Sequence, residues 1–132
     1  MAIRNDDLIN AAKEARKNAY SRYSNYSVGA AIVDDQGRLH VGCNVENAAY
    51  NLGNCAEAAA IAAMVQEGGK RIARIAVAGG HSEIGSCTPC GGCRQRINEF
   101  ADKNTVVIVI DDSKEWQEYS VAELLPESFH LD

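Results

Sequence analysis

Apolar and polar positions along the chain follow three different rhythms, and each marks an element. Leu8, Ile9, Ala12, Ala15 and Ala19 recur at helical spacing, with Lys13, Arg16 and Lys17 on the opposite side. This predicts a helix over 6–20, with Asp6 and Asp7 as caps or first-turn acids. The hydroxyl-rich stretch 20–27 breaks the rhythm and reads as a loop. Its tyrosines, Tyr20, Tyr23 and Tyr26, suit either packing at the domain edge or the wall of a pocket. The apolar run 28–33, the turn 34–37 and a return over 38–43 predict a hairpin. An alanine-rich helix starts near Cys55, with Asn54 as a possible cap, and stops at Gly68-Gly69. A strand over 72–77 leads into a loop at Gly79-Gly80, and a helix runs from Pro89 to about Asp102. The β-branched run 105–110 reads as a strand buried on both faces. An edge strand over 115–119 and a short helix over 121–125, stopped by Pro126, complete the pattern. Strands alternating with helices predict one α/β domain over 1–132, built on a mixed sheet of five strands.

Composition narrows the class. The chain has 132 residues, 46% hydrophobic, which suits one packed core. A net charge of -5 argues against a nucleic-acid grip, which needs a basic face. No run approaches a membrane span, and the first residues carry no apolar leader core, so a cytoplasmic protein is expected.

Five cysteines change the picture further. In a reducing compartment an odd number, three of them within seven residues, favours metal over disulfides. Cys90-x-x-Cys93 offers two thiolates one helical turn apart at a predicted helix start, and Cys55 offers a third at another. Three protein ligands leave a catalytic zinc one open position. Helix N-termini favour the thiolate form. Glu57, two residues past Cys55, is placed to move protons beside such a metal rather than to bind it. Other readings stand beside this one: a closed structural zinc on Cys55, Cys87, Cys90 and Cys93, an iron–sulfur cluster, or a Cys90–Cys93 redox pair. Cys43, at a strand end, reads as a small buried hydrophobe. Asn44, Glu46 and Asn47 suit either a solvated loop or the binding of a polyhydroxylated ligand.

Cys55-x-Glu57 followed by Pro89-Cys90-x-x-Cys93 resembles the signature of zinc-dependent nucleobase deaminases in a three-cysteine form. With the segments 44–50 and 124–129 added, the chain resembles the small tetrameric cytidine deaminases over most of its length. The resemblance implies an α/β/α sandwich with a five-stranded mixed sheet, and a homotetramer with active sites completed by neighbouring subunits. It implies one Zn2+ per subunit on Cys55, Cys90 and Cys93. Water would add to C4 of a pyrimidine nucleoside, Glu57 would protonate N3, and ammonia would leave. Asn44 and Glu46 would hold ribose hydroxyls, Tyr26 would stand near the base, and backbone at Ala56 and Pro89 would meet the polar edge of the substrate. Phe129 would reach a neighbour's site.

The chain departs from that pattern at a few positions. Ala58 stands where the family usually has an arginine, and Tyr26-Ser27 replaces a usual Phe-Pro. Asn51 follows Tyr50 where small residues are common, and Cys87 is extra. Three thiolates on Zn2+ leave a formal charge of -1, which weakens a bound nucleophile. The helix N-termini and Arg94 are expected to compensate. The departures leave open a modified cytosine nucleoside, including an antibiotic such as blasticidin S.

Overall fold

Both faces of the central strands are apolar, so one sheet must be covered twice. The structure, a computed structural model, describes residues 2–131. Its elements are helix α1 (Asn5–Arg16), strands β1 (Ser27–Asp34) and β2 (Leu39–Cys43), a 3-10 turn (Tyr50–Leu52), helix α2 (Ala56–Gln66), strand β3 (Ile72–Gly80), helix α3 (Gly91–Glu99), strands β4 (Val106–Ile110) and β5 (Trp116–Ser120), and short helix α4 (Val121–Leu124). The sheet order is β2-β1-β3-β4-β5. β3 and β4 are parallel and the other neighbours antiparallel, which makes the sheet mixed, as expected.

Helix α1 covers one face, where Leu8 and Ala12 pack with Ala31, Val33, Ala76, Ala78 and Ile108. Helices α2 and α3 cover the other, where Ala60, Met64 and Ile97 pack with Ile32, Ile75, Val77, Val107 and Val109. Strand β4 therefore feeds both layers, Val107 and Val109 on one side and Ile108 on the other. Two glycines set how low the helices ride. A Cβ on Gly29 would lie 2.1 Å from the Ala12 carbonyl oxygen, and one on Gly42 would lie 2.5 Å from the Ala60 nitrogen. Neither position accepts a side chain without lifting a helix off the sheet.

Several boundaries differ from the sequence expectation, each for a local reason. Helix α1 is capped at Arg4, whose backbone N–H donates to Asp7 Oδ2 at 3.0 Å, so Asp7 reaches back as an acid rather than serving as the cap residue. The helix stops at Arg16 instead of continuing to 20. Arg16 donates to the carbonyls of Ser27 (2.9 Å), Gly80 (2.9 Å) and His81 (2.6 Å), tying the helix end to the sheet. Gly79 and Gly80 pair with Val28 and Ser27 as the end of β3, not as a loop. The cap residue of α2 is Cys55, not Asn54, which is held in a bridge to Val45. Helix α3 ends at Glu99, before 102, because the Asp102 backbone N–H turns to Thr105 Oγ1 at 3.0 Å. Cys43 is half-buried rather than buried.

Opposite the helix starts, Asp34 forms a buried polar knot. Its carboxylate, 1% exposed, accepts from His40 Nε2 (2.8 Å), Arg38 Nε (3.0 Å) and the backbone N–H groups of Gln36 (2.8 Å) and Arg38 (3.0 Å). Burial alone would raise its pKa, but the bonds from His40, Arg38 and Gln36 outweigh it and hold the carboxyl well below its ordinary 3.8. A folded pKa below the unfolded one means that acid favours unfolding. The contribution is complete above the ordinary carboxylate range and is lost as pH falls through it toward the folded value. Asp34→Ala is expected to cost about 3 kcal/mol, because it strands the buried partners. Asp34→Asn is expected to flatten the acid limb of a stability profile measured by denaturant unfolding. An unchanged acid limb would mean that Asp34 does not drive it.

Candidate active site

The N-termini of α2 and α3 deliver the site. Cys55 is the cap residue of α2 and Cys90 the cap residue of α3, and neither caps through its side chain, so both sulfurs remain available. Glu57 lies in the first turn of α2 and Cys93 in the first turn of α3. These four side chains open on one cavity of about 390 Å3, within the range of small-molecule sites. Tyr26, Asn44 and Glu46 line the same cavity, as does Ala56. An adjoining hollow, also about 390 Å3, is lined by Tyr23, Ser24 and Asn47 and shares Glu46, Tyr50 and Gly53 with the first.

The depth of these groups sets their chemistry. Glu57 is 5% exposed and Cys93 only 1%, while Cys90 is exposed. Burial raises the Glu57 pKa, opposed by its own backbone N–H, a hydrogen bond from the Cys93 thiol, and the charge of Arg96. Burial likewise pushes the Cys93 thiol far up, reinforced by the charge of Glu57 and by Cys55 and Cys90. The donor set thus gathers soft sulfur ligands and a carboxyl in a place that disfavours negative charge until a cation arrives. That fits zinc, which takes thiolates and reverses this pKa order on binding. Among the described residues no trio of His, Cys, Asp or Glu is already closed into a metal cage.

Cys87 belongs to the wall. It lines the cavity beside Tyr26, whose hydroxyl donates to the Ser86 carbonyl at 3.4 Å. Burial first, then the Cys87 contact, raises the Tyr26 pKa, so the phenol stays protonated as a donor. The His81 ring meets Tyr26 edge-on at 5.1 Å. Cys55 and Cys90 cap two helices and Cys93 lies in the first turn of α3, whereas Cys87 sits in the loop before α3, outside that set of helix starts.

The remaining expected contacts fall in different places. Asn44 fastens β1, accepting from the Val28 N–H at 2.8 Å and donating to the Tyr26 carbonyl at 2.9 Å. Glu46 accepts from the backbone N–H groups of Tyr23 (3.0 Å) and Ser24 (3.1 Å) and from the Ser24 hydroxyl. The Ser24 hydroxyl contributes most to holding its pKa low, so it stays ionised. The Pro89 carbonyl accepts from Arg94 Nε at 2.7 Å. Phe129 lies away from the cavity, 67% exposed, with its carbonyl bonded to Gln95. Arg94 does not meet the thiols as expected. It donates to the carbonyls of Pro89 and Leu124 and to Thr88 Oγ1, bracing the loop before α3. The arginine at the sulfur is Arg96, whose Nη1 lies 3.7 Å from Cys93 Sγ. Helical spacing could have found it, since positions 93 and 96 share a helix face.

Comparison with known proteins shows what this fold and sequence are similar to. The family model for the cytidine and deoxycytidylate deaminase zinc-binding region matches residues 3–109, which contain all the candidate metal ligands. Cytidine deaminase from Sporosarcina psychrophila is 39% identical over 124 residues, covering 94% of this chain and 90% of its own length. The enzyme from Mycobacterium tuberculosis H37Rv is 39% identical over 121 residues, covering 92% and 86%. Among solved structures, cytidine deaminase from Burkholderia pseudomallei superposes with a TM-score of 0.85 at 41% identity, covering 96% of this chain and 99% of that one. With a family match this long and sequence identity this high across nearly the whole fold, the chain belongs to the cytidine and deoxycytidylate deaminase family.

Proposed function

We propose that this chain is a zinc-dependent enzyme that hydrolyses cytidine and deoxycytidine to the uridine product and ammonia. The observation that carries the reading is the convergence of Cys55, Cys90, Cys93 and Glu57 on a cavity that Asn44 and Glu46 also line. Cys55, Cys90 and Cys93 would hold one Zn2+ per subunit, and that metal supplies the Lewis acidity that makes water a nucleophile near neutral pH. Glu57 takes one proton from the attacking water and delivers it to N3 of the pyrimidine, where it stays; it then takes the proton left on that oxygen and delivers it to the departing amino group. Burial suits it to this, because a raised pKa brings a carboxyl closer to the pH at which it must both accept and release a proton. Backbone at Ala56 and Pro89 meets the polar edge of the base, and Tyr26 flanks the ring.

Asn44 and Glu46 hold the ribose. An ionised Glu46 accepts from sugar hydroxyls but repels a phosphate, so nucleosides are favoured over nucleotides. Glu46→Ala is expected to raise KM for cytidine about 10- to 100-fold with a smaller change in kcat, the cost of a hydrogen bond to a charged group. Steady-state kinetics decide it, and an unchanged KM would remove Glu46 from the ribose site.

The exposed Tyr50 (81%), Leu52 (67%) and Phe129 (67%) support a homotetramer in which Phe129 completes a neighbour's site. Light scattering tests the assembly. A cytoplasmic place in pyrimidine nucleoside salvage fits such an enzyme. Blasticidin S as the main substrate is the less favoured reading, since the relatives named above are cytidine deaminases. The deciding experiment offers cytidine, deoxycytidine, cytidine monophosphate and blasticidin S to zinc-analysed protein and follows loss of the amino group by absorbance. The first two should react fastest. No turnover of any, with zinc bound, would overturn the reading.

A further inference from the structure

We propose that Arg96 is a positioning residue of the zinc centre, its guanidinium supplying the positive charge that lets three thiolates share one divalent ion. This rests on the zinc-dependent reading above. Zinc with three thiolates carries a formal charge of -1, and the Glu57 carboxylate beside it adds another when ionised. The helix N-termini return only part of that, about half a charge each. The residue after Glu57 is Ala58, which brings no charge.

Arg96 stands where the missing charge is needed. Its Nη1 donates to Cys93 Sγ at 3.7 Å. A Cβ on Gly92 would lie 3.3 Å from Arg96 Nη1 and 3.9 Å from Cys90 Sγ, so the guanidinium and the second sulfur flank the same hollow, which Gly92 leaves open. The other guanidiniums near the site are committed elsewhere, Arg94 to Pro89, Thr88 and Leu124, and Arg16 to Ser27, Gly80 and His81. Among the described residues no carboxylate lies within 4 Å of the Arg96 guanidinium, although its charge also reaches Glu57. Its one hydrogen bond there is the bond to sulfur. A guanidinium also keeps its charge at every working pH, which a lysine near a metal need not do.

The plainer role for Arg96 is a cation in the last turn of α3, favourable to the helix and indifferent to the metal. Zinc affinity separates the two. Arg96→Gln, Arg96→Lys and Arg71→Gln are compared with the unsubstituted protein by competition against a chromophoric zinc chelator, alongside melting of the zinc-free forms. Arg71 pairs with Asp102 on the surface at 3.3 Å, so its loss matches the charge change without touching the site. Arg96→Gln is expected to weaken zinc binding about 10- to 100-fold, the usual effect of losing a group that bonds a metal ligand. Arg96→Lys should recover part of this and Arg71→Gln should change nothing, while the zinc-free proteins melt alike. Equal zinc affinity in Arg96→Gln would overturn the proposal. So would an equal loss in Arg71→Gln, or a loss of zinc-free stability that accounts for the weaker binding. An unsubstituted protein that binds no zinc would instead overturn the reading of the site itself.

Discussion

Glu57→Gln is expected to lower kcat for cytidine by about 1000-fold or more while leaving fold and bound zinc intact. Glutamine fills the same volume and keeps a carbonyl to accept a hydrogen bond, but it cannot carry a proton from water to the ring. General acid–base steps of this kind are worth about 100- to 10,000-fold, and here one carboxyl serves both halves of the transfer. The change should not weaken the zinc-free protein. Glu57 is buried and its pKa is raised, so its ionised form opposes folding once the pH passes the ordinary carboxylate range. Removing that ionisation leaves the melting temperature level or higher. Zinc content by elemental analysis, melting and kcat together test the role. Turnover within about tenfold of the unsubstituted enzyme would show that Glu57 is only a first-turn helix acid.

Cys93→Ala is expected to abolish both zinc retention and turnover. The zinc-free fold should lose only about 1 kcal/mol, because a single small side chain leaves the core. Cys93 is the buried member of the sulfur set and the one that meets Cys55, Cys90 and Glu57 together. With two sulfurs left, the site lacks the three ligands that a catalytic zinc requires. Melting should then no longer rise when zinc is added, since stabilisation by a ligand depends on its binding to the folded state. Cys87→Ala is the comparison. Its sulfur lies in the cavity wall, outside the two helix starts that carry Cys55, Cys90 and Cys93, so zinc and activity should survive. Loss of zinc in Cys87→Ala would revive the closed four-cysteine site.

Much of this was legible in the residues. The rhythm of Leu8, Ala12 and Ala15 marks α1, and the β-branched run marks β4, because burial on one or two faces leaves a period that sequence carries directly. The cysteine spacing marks two helix starts. The misplaced boundaries share a cause in contacts between residues distant along the chain. Arg16 ends α1 by bonding carbonyls at 80 and 81, and Gly80 continues β3 because Ser27 pairs with it. The site follows the same division. Cys55, Glu57, Cys90 and Cys93 meet as their spacing suggests. The exchange between Arg94 and Arg96 was readable too: Arg96 stands three residues past Cys93 on the same face of α3, while Arg94 is a two-residue step, about 200° of helix, away from Arg96. Phe129 lies outside its own chain's cavity, where one chain's pattern says nothing of what it meets.

The most direct test returns zinc in steps to chelator-treated protein and measures ammonia released from cytidine. No ammonia is expected without zinc, and the rate should rise in proportion to bound metal until about one zinc per chain, then stay level. Full turnover in the zinc-free protein, or none with every chain loaded, would contradict the zinc-dependent reading.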